Sequence, residues 1–157
     1  MTSPTTTPRA GDAATLAALR NILLGTFVVG VVGVGVELLL IEHFEDWQQL
    51  VPLGLFVLAL LVTGWHLASR TAASVRGFRW VMYLFVASGV VGQWLHYQGN
   101  MEFELERDAT LGGFALLRES LMGATPALAP GTMVLLALVG LAFTYRHPAF
   151  GVRAAAS

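Results

Sequence analysis

The stretch RNILLGTFVVGVVGVGVELLLIEHFED, residues 20–46, decides how this chain is built. From Asn21 to Ile41 the only charge is Glu37. A bilayer core about 30 Å thick is crossed by about 20 apolar residues at about 1.5 Å of rise each. A secretory leader would carry an apolar run of about 7–15 residues closed by small ones. This run is longer and closes on Glu42, His43, Glu45 and Asp46, so it reads as a retained span.

Working outward, runs of the same kind fall at about 50–68, 78–97 and 130–145, with the first at about 19–41. The expected fold class is therefore an all-α integral membrane protein, a four-helix transmembrane bundle in a single domain, 16–148. Residues 1–15, rich in Thr and Pro, read as a disordered tail, and 149–157 as a second tail. Composition agrees with this reading. Hydrophobic residues make up 55% and charged residues 12% of the 157, against about 25% charged in a soluble domain. All nine cationic residues are Arg and none is Lys, which with the abundant Ala, Gly, Val and Leu suggests GC-rich coding and a bacterial source.

Charge orients the bundle. Arg9, Arg20, Arg70, Arg76, Arg79, Arg146 and Arg153 fall at one set of span ends. Nine of the ten acids, from Glu37 through Glu119, fall at the other. A positive excess marks the cytoplasmic side, so the expectation is a multi-pass protein of the bacterial inner membrane with both termini cytoplasmic. The aromatic residues Trp47 and Trp94 on one side, and Trp65, Trp80 and Tyr145 on the other, sit where an interfacial belt would. Gly30, Gly33, Gly35, Gly64 and Gly92 read as close-packing positions.

The outer loop, 98–129, is the one connection long enough to hold structure. Glu102-Phe103-Glu104-Leu105-Glu106 alternates with a strand-like period, yet without a partner strand an extended linker or a continuation of helix three serves equally. From Thr110 to Met122 the apolar residues Leu111, Phe114, Leu117, Leu121 and Met122 recur at helical spacing. That reads as a short interfacial helix, or equally one folded over the bundle as a lid, with Thr110 or Asp108 as its cap.

Several function classes are excluded by composition. With no cysteine there is no disulfide, thiolate metal site or thiol redox chemistry. A net charge of −1 argues against nucleic-acid binding as a main activity, which needs a clustered basic face, and topology accounts for the arginines. The candidate metal or proton site is the outer mouth, where Glu37, Glu42, His43 and Glu45 end span one and Gln93, His96, Glu102 and Glu104 end span three. Carboxylates with imidazoles suit a divalent metal, although neither a Glu-x-x-His nor a His-Glu-x-x-His pattern is present. Glu37 lies about 7 Å deeper than Glu42, and Gln93 and His96 are its expected partners. His66 with His147, and His43 with His96, raise bis-histidine haem, which the position of His147 beyond the last span argues against. The leading functional expectation is a non-enzymatic subunit or scaffold of a membrane assembly, in contact with other subunits or itself. The alternative is a cation-binding or transporting protein using the outer mouth.

Overall fold

The computed structural model describes residues 10–123 and 125–151. Most of the two expected tails lies outside them, and residues 10–15 belong to the first helix. Every regular element among the described residues is helical, with no strand. They form α1 (Ala10–Leu40), α2 (Trp47–Ser69), α3 (Ala72–Arg107), α4 (Gly113–Leu121) and α5 (Gly131–Thr144). A 3-10 turn follows at Pro148–Phe150. Two of the helices are long and apolar enough to cross a membrane, Gly11–Leu40 and Trp47–Ser69.

Local signals set the ends. Before α2, Gln49 Oε1 accepts the backbone N–H groups of Glu45 (2.8 Å) and Asp46 (3.2 Å), the backward half of a capping box. Because α2 starts at Trp47, Pro52 lies in its second turn. Arg70, in the left-handed region at φ 49°, ends α2, and the Thr71 hydroxyl caps α3 by accepting Ser74 N–H at 3.2 Å. Two residues thus reverse the chain. α4 is not capped by Asp108 or Thr110. Those two pair with each other in a turn, Thr110 N–H and O–H donating to Asp108 Oδ1 at 2.9 and 2.6 Å, while Gly112 takes the cap position.

The alternating acidic segment is helix. α3 runs on unbroken to Arg107, 36 residues or about 54 Å, so Glu102 and Glu104 point to opposite sides. Glu102 is exposed and Glu104 buried.

α3 packs along α2, α5 and α4, and α1 packs along α5 and α2. The core is aromatic. Phe27 of α1 meets Phe78 edge-on at 5.1 Å and Phe85 at 6.0 Å, Phe56 of α2 meets Phe85 at 5.6 Å, and Phe143 of α5 meets Phe78 at 5.4 Å. Rings offset at these distances add to the burial they already provide. The exterior is apolar too: Val29, Leu40, Leu61 and Trp80 are each about two-thirds exposed or more. A soluble monomer rarely leaves so many large apolar side chains on its surface. Close packing selects only some of the glycines. A Cβ on Gly92 would stand 2.9 Å from Pro130 and one on Gly30 would strike Leu136, but Gly33 and Gly64 face open space.

Candidate functional site

At the acidic end of the molecule, the turn after α1 sets His43 against His96 of α3, ring centroids 6.1 Å apart. Burial pushes His43 below the ordinary imidazole value, and the neighbouring His96 pushes it further. His96 Nδ1 is buried and has no hydrogen-bond partner among the described residues.

The other residues expected at this mouth do not gather around the pair. Glu37 is on the exposed side of α1 and forms no ion pair among the described residues. Glu42, at φ 55°, and Glu45 are exposed on the turn. Gln93 faces the start of α5, its Nε2 only 3.1 Å from where a Cβ on Gly131 would be. Glu102 is exposed, and buried Glu104 has its own partner one turn on, Arg107 at 3.3 Å. Asn100, four residues after His96, spends its amide on the backbone of Ser120 and Thr125. Among the described residues no three metal-binding side chains converge. Two imidazoles can share a proton or bind one ion weakly, but they make no closed coordination shell.

The denser cluster is at the arginine end, where His66 and His147 meet with ring centroids 5.3 Å apart and planes at 83°. The buried stripe Phe56, Ala59, Thr63 and His66 of α2 carries the first ring inward. Ser74 O–H donates to the Thr71 carbonyl at 2.8 Å, so Ser74 Oγ accepts from His66 Nδ1 at 3.1 Å. His66 is therefore the Nδ1–H tautomer, its Nε2 lone pair free. His147 is the reverse: Nδ1 accepts Ala149 N–H at 3.2 Å, which leaves the proton on Nε2.

The rest of this end is strapped down. Arg79 donates to the Thr144 hydroxyl (3.2 Å) and carbonyl (2.9 Å) and lies 5.0 Å over the Phe150 ring. Arg20 Nη2 donates to the Arg146 carbonyl at 3.1 Å.

A comparison with known protein families, curated proteins and solved structures finds no match. The site must be read from its geometry.

Ser74 is fully buried with its hydroxyl committed to Thr71, so it is not an available nucleophile. The sequence places His66 and His147 at one end but gives no sign that they touch, because His147 lies beyond α5. The helical spacing 56, 59, 63, 66 is the signal that turns His66 inward.

Proposed function

We propose that this chain is a membrane protein of four spans that serves as a non-enzymatic subunit or accessory component of a larger membrane assembly. The spans are α1, α2, the first two-thirds of α3, and α5. The arginine end is cytoplasmic, as in a bacterial inner membrane. The contact order supports the bundle, since each of these helices has two neighbours in the ring α1–α2–α3–α5. The apolar exterior supports the lipid setting.

One observation carries the subunit role: the outer connection is a pinned arm. The last turns of α3, the whole of α4 and the turn into α5 form a hairpin that extends beyond the first turn of α5, which lies level with Gly89 and Gln93. Asn100 ties its two sides together. Its outer surface presents Phe103, Phe114, Leu117, Leu121 and Met122. A rigid arm with large apolar side chains in reach of another chain is the surface that subunit contacts use. The interlocked rings of Phe27, Phe56, Phe78 and Phe85 fill the axis along which a solute would travel, which favours this role over transport.

The test is affinity purification in mild detergent of the natural chain and of Phe114→Glu/Leu117→Glu. Other membrane proteins are expected to come with the natural chain in stoichiometric amount and to be absent from the variant, with helix content by circular dichroism equal in both. A chain that runs alone or as a simple homodimer in both preparations refutes the subunit role.

A further inference from the structure

At the arginine end the flanks of α1 and α2 part to leave a shallow groove of about 400 Å³. Leu24, Gly25 and Val28 form one wall, Thr63 and Leu67 the other, and Asn21 stands at the mouth. The groove is apolar in use as well as in composition, because the Thr63 hydroxyl donates to the Ala59 carbonyl of its own helix at 2.7 Å.

Cations gather at the mouth with no ion pair among the described residues. Arg20 directly precedes Asn21, and Arg70 closes α2 one turn beyond Leu67. Arg146 joins them through its carbonyl, which Arg20 holds. Arg20 Nε is buried and has no hydrogen-bond partner among the described residues. Both ion pairs among the described residues lie at the opposite end of the molecule. On this end the one acid is Asp12, eight residues before Arg20 and about 12 Å along the helix.

We propose that the groove holds an acyl chain of an anionic phospholipid whose phosphate sits between Arg20 and Arg70. Guanidinium groups take phosphate oxygens two at a time. Basic pockets between spans on the cytoplasmic side collect acidic headgroups. Here Arg20 adjoins Asn21 of the lining and Arg70 stands three residues beyond Leu67, so arginines and apolar groove follow one another at the same end of α1 and α2, in the order in which one lipid carries head and tail. A zwitterionic lipid would fill the groove but bring its own ammonium to a cationic rim. A free phosphate would use the arginines and leave the groove empty. The inference rests on the membrane placement proposed for this chain and not on the subunit role.

The test uses the full chain purified from liposomes of equal parts phosphatidylglycerol and phosphatidylcholine, with retained lipid counted by native mass spectrometry. The natural chain is expected to keep phosphatidylglycerol over phosphatidylcholine by about tenfold, or about 1.4 kcal/mol. Arg20→Gln/Arg70→Gln is expected to lose that preference and Arg20→Lys/Arg70→Lys to keep part of it. Gly25→Leu should expel the lipid while leaving the arginines in place. A Cβ at Gly25 meets nothing within 4 Å, so this variant should fold. Unchanged retention in the double Gln variant, or in Gly25→Leu, overturns the proposal. So does competition by inorganic phosphate that empties the arginines while lipid stays. A chain that inserts into liposomes but retains neither lipid sinks this inference alone and leaves the membrane placement standing.

Discussion

Thr125 and Asn100 hold each other by three hydrogen bonds. Thr125 backbone N–H (3.1 Å) and hydroxyl (2.5 Å) both donate to Asn100 Oδ1, and Asn100 Nδ2 donates to the Thr125 carbonyl at 2.7 Å. The Ser120 carbonyl takes the remaining N–H of Asn100 at 2.9 Å, so the amide is fully used. Gly123 permits this approach, since a Cβ there would stand 2.6 Å from Asn100 Cγ.

Closure of the outer hairpin therefore depends on one side chain. Asn100→Ala leaves the Ser120 and Thr125 groups unpaired, and at about 1 kcal/mol net per bond the hairpin loses about 2–4 kcal/mol. Hydrogen exchange is expected to speed up across 113–130 and to stay unchanged in α2. Equal protection in both proteins would show that packing alone holds the arm.

The α3–α5 seam should be sensitive to single methyl groups. A Cβ on Gly89 would lie 3.0 Å from Pro130 O and 3.1 Å from Val134 N, and backbone atoms cannot rotate away. Gly89→Ala is expected to cost about 1–3 kcal/mol by overpacking. Gly33→Ala, into open space, should be neutral or gain up to about 1 kcal/mol of helix propensity. Thermal midpoints in detergent that rank the two the other way would refute the seam.

Acid should loosen the strap after α5. Burial, then His66, then Arg20 push His147 down from 6.5 to about 4. Below pH 6.5 the unfolded chain takes up a proton that the folded chain refuses, so stability falls with pH until about 4 and then levels off. An NMR titration of the His147 ring is expected to give a midpoint near 4. His147→Phe should remove the acid dependence of exchange at 145–151. A ring titrating like free imidazole would mean that it is not enclosed.

Glu37 tests the outer face. Its side chain is exposed and unpaired among the described residues, so Glu37→Gln should fold normally. Glu37→Leu should match it or raise the thermal midpoint, because a lipid-facing charge costs up to about 3 kcal/mol at mid-span and less near the end. Loss of expression in Glu37→Leu alone would mean that a partner recognises the carboxylate.

Much of this was legible in the residues. Apolar runs located α1, α2 and α5, and helical spacing found α4, because burial writes its period directly into sequence. The reach of α3 was left open because Glu102 to Glu106 alternates with period two. Helix there is decided by packing against α4, where Glu104 and Asn100 turn inward, and that contact is tertiary. The expected outer site failed to gather for the same reason. Sequence counts Glu42, Glu45 and Glu102 at one end but not which way each faces, and the structure leaves all three exposed. The His66–His147 contact depends on a chain reversal after Tyr145 that no periodic signal reports.

The four long helices are unequal, and α5 is the shortest at 14 residues, about 21 Å against a hydrocarbon core of about 30 Å. In the four-span placement proposed above, the bilayer beside that helix would pinch or the molecule would lean, each at a fraction of a kcal/mol per Å. Either response would make one flank of the protein a dimple in the sheet. Dimples of this kind pull short-tailed lipids and other undersized helices toward them. The α5 flank is thus where neighbours in the membrane would be drawn to collect.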